Sequence, residues 1–205
     1  MIERMRKAVI YIHGKGGSPD EAEHYRALFP RCDVLGFDYR AGTPWEAKAE
    51  FTAYLAGVSR KYDAVSFVAN SIGAYFLMNA DVGEKAAAAY FISPVVDMEK
   101  LITDMMAWAG VTEDELREKR TVETAFGETL SWDYLRCVRE NPVKWDVPTR
   151  ILYGEKDALI SPETVSDFAQ KLGAPLTVMP GGEHWFHTEE QMAFLDGWIR
   201  EGEQI

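Results

Sequence analysis

The sequence predicts a doubly wound α/β domain built on a mainly parallel, six-stranded sheet with a helical insertion. Three observations carry this. Six short apolar runs recur along the chain, helix-start signals fall between them, and one long stretch after the fourth run offers helical signals only. The runs are Ala8–Ile12, Asp33–Phe37, Ala64–Ala69, Ala87–Ile92, Arg150–Tyr153 and Pro175–Met179. They are continuous rather than alternating, as strands covered on both faces must be, which favours a parallel sheet between helical layers.

Each intervening element has its own signal. Ser18-Pro-Asp-Glu21 follows the first run and Thr43-Pro-Trp-Glu46 the second; both pair a capping hydroxyl with an acid three residues on. Behind Thr43, Phe51, Leu55 and Val58 recur at helical spacing and give one apolar stripe to lay on a sheet. The third run leads directly into Ala74, Tyr75, Leu77 and Met78, a helical pattern with only a tight corner before it. Between the fourth run and Thr149 the expected helices are Met98–Ala109, Glu113–Lys119 and Trp132–Asn141, the second opened by Thr112-Glu-Asp-Glu115. Ser161-Pro162 starts a helix after the fifth run, and Thr188-Glu-Glu-Gln191 starts the last.

The insertion, about 95–147, is read as a lid over a site at one end of the sheet. Its large apolar residues, Met105, Met106, Trp108, Phe126, Trp132, Tyr134 and Leu135, have two open roles, packing the insertion down or lining a substrate cavity. The chain of 205 residues is read as one domain, 1–205. Its 33 acids and 22 bases leave a net charge of −11, which disfavours nucleic acid or an anionic membrane surface as partner. No apolar run approaches the ~20 residues of a membrane helix, and the N-terminal run is too short for a signal-peptide core, so the expected location is cytoplasmic. Cys32 and Cys137 lie in no metal-ligand or redox spacing and are expected as buried thiols.

Candidate chemistry collects after strand ends. Ser71 sits on the corner between the third run and its helix, Asp157 follows ILYGEK, and His184 follows MPGGE. In open α/β sheets the crevice for ligands lies outside the carboxyl ends of the strands. An alcohol needs a base to take its proton and an acid to orient that base, and these residues supply all three. Ser71 also has the plain reading of a helix N-cap. His13-Gly14-Lys15-Gly16-Gly17-Ser18 closes the first run, but it lacks the GxxxxGK[ST] and GxGxxG spacings of phosphate loops. No HExxH pair or Cys-His cluster is present, so the expectation is no metal and no cofactor.

The Ser, Asp, His chain order and the strand-turn-helix setting of Ser71 resemble the α/β-hydrolase family over nearly the whole chain. The family's G-x-S-x-G elbow reads Ala69-Asn70-Ser71-Ile72-Gly73 here, with alanine in place of the first glycine. The resemblance implies a trimmed form of that fold, lacking the antiparallel strands that often begin it, and a cap domain in the insertion. It further implies Ser71 as nucleophile, His184 as base and Asp157 as the acid, chosen by the family's G-x-x-D pattern over Glu155 and Asp97. His187 is the rival base; it lies just outside the cap at Thr188. By the same resemblance HGKGGS is the oxyanion-hole loop, with the backbone N–H groups of Lys15 and Ile72 as donors. His13 is expected to structure that loop and His24 to be solvated. The implied activity is cleavage of a small ester or thioester, with no cofactor and a small-molecule acyl substrate as partner. A peptidase or carbon–carbon bond hydrolase could use the same residues, and a binding protein could keep the shell without chemistry.

Overall fold

The computed structural model describes residues 5–203; residues 1–4 and 204–205, which the single-domain reading includes, lie outside the described residues. The main sheet has six strands: β1 (Lys7–Ile12), β2 (Asp33–Gly36), β3 (Ala64–Asn70), β4 (Ala86–Ile92), β7 (Thr149–Gly154) and β8 (Leu176–Met179). Their order is β2-β1-β3-β4-β7-β8, and every neighbouring pair is parallel. All six predicted runs are strands of this sheet.

Successive residues of a strand face opposite ways, and β1 shows what each face buries. Ala8, Ile10 and Ile12 join a core with helix α2 (Pro44–Ser59) through Ala47, Phe51, Leu55 and Val58, and with α3 (Ile72–Met78) and α7 (Pro162–Leu172). Val9 and Tyr11 face the other core, with α1 (Ala22–Tyr25) and α8 (Glu189–Glu203) through Tyr25, Leu195, Trp198 and Ile199. The sheet is thus covered on both sides, which is why its strands read as unbroken apolar runs. Fully burying a side chain such as Phe51 stabilises by about 1.5–3 kcal/mol, and the central strands carry a row of such residues.

The helix starts follow the predicted caps. Thr43 Oγ1 accepts from Glu46 N while Glu46 Oε2 accepts from Thr43 N. Ser18 and Glu21 make the same reciprocal pair ahead of α1. Thr112, Ser161 and Thr188 accept from the backbone N–H three residues on.

The insertion contains α4 (Met98–Ala109), α5 (Glu113–Lys119), β5 (Thr121–Glu123), β6 (Thr129–Ser131) and α6 (Trp132–Glu140). Its antiparallel hairpin, β5 on β6, departs from the helix-only expectation. Strands of three residues are too short to show a period of two, and Gly127 at φ 84 supplies the turn. Met106 and Leu135 are buried in the core, whereas Trp108 and Phe126 stack edge to face on the surface, 55% and 45% exposed. No helix among the described residues is long and apolar enough to cross a membrane. Cys32 and Cys137 are partly exposed rather than buried and form no disulfide.

Candidate active site

Strand β3 ends at Asn70 and α3 begins at Ile72, so one residue must reverse the chain. That residue is Ser71, held at φ 50, ψ −121, outside the regions open to ordinary L-residues. Its side chain makes no capping bond to α3, which removes the N-cap reading. The strain is held by neighbours: Ser71 N donates to Ile92 O, and Ser71 O accepts from Val95 N. Small residues let the corner close. A Cβ on Gly73 would lie 2.5 Å from His13 O, and one on Gly14 would lie 3.3 Å from Ser71 Cβ. The loop after β1 therefore crosses within van der Waals contact of the serine.

Ser71 Oγ lies 2.8 Å from His184 Nε2, and His184 Nδ1 lies 2.6 Å from Asp157 Oδ2. The Asp157 side chain is fully buried, and its other oxygen accepts from Leu159 N (2.8 Å) and Ile160 N (3.1 Å). A carboxylate so placed fixes the imidazole with its proton on Nδ1, turning the Nε2 lone pair toward the serine hydroxyl. Close packing holds the last two loops together: a Cβ on Gly154 would meet Glu183 O at 2.4 Å. This arrangement can take a proton from Ser71 and return it to a leaving group.

The rival residues are engaged elsewhere. Glu155 accepts from Gly181 N (2.7 Å), and Asp97 caps α4 by accepting from Lys100 N. His187 Nδ1 bonds Trp185 O (2.8 Å), and its ring stacks on the Trp185 indole. His13 structures its loop, as expected, stacking on Tyr39 at 4.3 Å while its carbonyl accepts from the Tyr39 hydroxyl. His24 is exposed, as expected, and also pairs with Asp196 at 2.7 Å; the two are far apart in sequence, and only the packing of α8 beside α1 brings them together.

Gly17 N donates to Gly14 O, closing a turn with Lys15 and Gly16 at its centre, and Gly16 takes φ 77 as a type II turn demands. The Lys15 N–H is not part of that turn bond. Ile72 opens α3, where a backbone N–H has no carbonyl one turn earlier to meet. The Lys15 side chain points away to Glu128 in the hairpin of the insertion (2.5 Å).

A cavity of about 750 Å³ adjoins Ser71 and His184. Its wall includes Tyr11, Tyr25, Ile92, Trp185, Phe186 and Leu195, with Glu21, Lys15, His24, His184 and His187 as its acidic and basic members. None of the seven large apolar residues of the insertion lines it. The substrate-lining alternative for those residues is therefore corrected: the insertion packs over α2 and α3 on the opposite core, and the cavity opens on the side of α1 and α8. Sequence reading missed Tyr11, Glu21 and Asn70 as members of this wall. Asn70 Nδ2 donates to the Tyr11 hydroxyl (2.7 Å), which in turn donates to Glu21. Burial is the main reason the Tyr11 and Tyr25 phenols are pushed well above their ordinary pKa, so both stay protonated. Among the described residues, no group of three or more His, Cys, Asp or Glu could hold a metal ion.

No protein-family model and no curated protein sequence matches the chain. Solved structures do. Est1E from Butyrivibrio proteoclasticus is 17% identical with a TM-score of 0.70, covering 98% of this chain and 88% of its own. Mouse alpha/beta hydrolase domain-containing protein 10 is 15% identical with a TM-score of 0.71, covering 98% and 92%. The Pyrococcus furiosus esterase PF2001 is 20% identical with a TM-score of 0.59, covering 98% and 81%. What these proteins share with this chain, at identities so low, is the α/β-hydrolase fold.

Proposed function

We propose that the protein is a serine hydrolase that cleaves a small ester or thioester through an acyl-enzyme on Ser71. The observation that carries this reading is the continuous hydrogen-bonded line from the Ser71 hydroxyl through His184 to the buried Asp157 carboxylate, beside an open cavity. One of the structural neighbours is named as an esterase, and another, Est1E, is also solved with ferulic acid bound; both agree with ester chemistry.

In the proposed sequence, Ser71 Oγ attacks the acyl carbonyl as its proton passes to His184 Nε2. Asp157 stabilises the imidazolium that forms without taking the proton itself. The carbonyl π pair moves onto oxygen, where the N–H groups of Lys15 and Ile72 receive the negative charge. Collapse of the tetrahedral adduct breaks the bond to the alcohol or thiol, which leaves with the proton from His184. Water then attacks the acyl-serine, giving a proton to His184, and the second collapse releases the acid and restores the serine hydroxyl.

The test combines a fluorescent organophosphonate with a panel of chromogenic esters and acyl thioesters. Labelling should be lost in Ser71→Ala, and His184→Ala should lower ester turnover by about 10³-fold or more. Labelling that survives Ser71→Ala refutes the assignment. A wild-type protein that binds apolar ligands but turns over no member of the panel refutes catalysis altogether.

A further inference from the structure

The cavity beside Ser71 is unevenly charged, and the imbalance falls on Glu21. Every basic side chain in its wall already faces an acid: Lys15 is paired with Glu128 (2.5 Å), His24 with Asp196 (2.7 Å), His184 with Asp157 (2.6 Å) and His187 faces Glu183 (3.7 Å). Glu21 lines the same wall, and among the described residues it forms no ion pair. Nor is it loosely held. Its Oε1 accepts from Ser18 N (3.1 Å), its Oε2 accepts from the Tyr11 hydroxyl, and Gly17 packs so closely that a Cβ there would lie 3.0 Å from Oε1.

The proton positions along this line are forced. Tyr11 has one hydroxyl proton, which it donates in its hydrogen bond to Glu21, so the phenol oxygen must accept; the Asn70 group facing it is accordingly the NH2. Each Glu21 oxygen keeps a second lone-pair site after these bonds. The result is a preorganised carboxylate with accepting capacity to spare, in a wall whose basic members are already paired and whose remainder is largely tyrosines, Trp185, Phe186 and aliphatic side chains. Such a group repels an anionic acyl chain, gains nothing from an aliphatic one, and binds a protonated amine by charge and by hydrogen bonds together.

We propose that Glu21 selects substrates whose acyl part carries a protonated amine, so that the cavity is a site for cationic esters or thioesters. This rests on Ser71 being the nucleophile as set out above. Glu21 acts on binding and not on bond cleavage; its capping bond to Ser18 is a separate, structural duty of the same side chain.

The experiment compares para-nitrophenyl esters of three matched acids: para-aminomethylbenzoic, para-ethylbenzoic and para-carboxymethylbenzoic acid. The readout is the ratio of kcat/KM values within one protein, which cancels any general damage to the site. Wild type should prefer the ammonium ester to the ethyl ester by about 10-fold, equivalent to about 1.4 kcal/mol, with the carboxylate ester slowest. In Glu21→Gln the ammonium-to-ethyl ratio should fall to about 1, whereas Tyr11→Phe, which removes a support but keeps the charge, should retain the preference. Equal collapse in both variants would make Glu21 a loop-stabilising residue only and overturns the proposal. If Glu21→Gln does not fold, wild type decides: benzylammonium should inhibit competitively and more strongly than benzyl alcohol, and equal inhibition overturns the proposal. Ester turnover that depends on Ser71 but shows no charge preference sinks this inference alone; no Ser71-dependent turnover of any ester sinks the underlying reading.

Discussion

Replacing Ser71 by glycine should leave a more stable protein than replacing it by alanine, although both exchanges remove the same hydroxyl. Ser71 has φ 50 and ψ −121, a conformation that costs any residue with a Cβ about 1–3 kcal/mol and glycine very little. Against that gain stand two losses. Glycine raises the entropy of the unfolded chain by about 0.4–1 kcal/mol, and it gives up a methyl group that is only part-buried here, about half of the ~0.8 kcal/mol of a fully buried one. The net expectation is Ser71→Gly above Ser71→Ala by about 1 kcal/mol, or roughly 2–4 °C in Tm for a chain of this size. Urea denaturation followed by circular dichroism measures it, with equal m-values as the check that the transition is unchanged. In an ordinary helix interior the same exchange destabilises by about 1 kcal/mol, so the sign alone decides. If the alanine variant is the more stable, Ser71 does not sit on a strained corner in solution, and the account of why its hydroxyl is held clear for chemistry fails with it.

Two further outcomes follow from the loop that crosses the serine. Gly73→Ala would press a methyl to 2.5 Å from His13 O, the carbonyl that also accepts from the Tyr39 hydroxyl; a loss of about 1–3 kcal/mol in urea titration is expected, with a fall in ester kcat/KM because His13 begins the loop. Lys15→Pro deletes a backbone N–H at a turn position that tolerates proline and should lower kcat by about 10²–10³-fold, whereas Lys15→Ala, which cuts only an exposed ion pair, should stay within about threefold. Equal kcat for the proline and alanine variants would remove Lys15 N–H as the oxyanion donor.

Much of this was legible because the informative residues are local to strand ends. A parallel strand buried on both faces announces itself as an apolar run, and the loop after it is placed by that run; Ser71 directly follows such a strand. Asp157 and His184 lie deeper in their loops, and only the family resemblance tells Asp157 from Glu155 and the cap at Thr188 tells His184 from His187. Caps were legible for a similar reason, since the bonding partners are three residues apart. What escaped was set by packing over long separations. The aromatic residues of the insertion have the same periodicity whether they pack or line a cavity, and only the path of the chain puts Trp132 and Tyr134 against the far core and Trp108 and Phe126 on the surface. Glu21 reads in sequence as the acid of a capping box. Its place in the cavity wall depends on Tyr11 pointing from β1 toward α1, on the face opposite Ile10 and Ile12.

The division of labour that results constrains how specificity can change in this molecule. Residues of the first 25 positions and of the segment from 157 onward, together with the end of β3, make nearly all of the cavity, while the insertion touches the site's loop through the Lys15–Glu128 pair. That pair is 67% and 36% exposed at its two side chains, so it contributes at most about 1 kcal/mol and weakens further with salt. A coupling so small cannot hold the loop after β1 in place. The turn bond from Gly17 to Gly14, the Ser18–Glu21 box and the contact of Gly73 with His13 do that from within the sheet's own layers. On the proposed function, substitutions in the insertion should therefore act on the stability of the domain, and substitutions at Glu21, Trp185 or Phe186 on the choice of substrate.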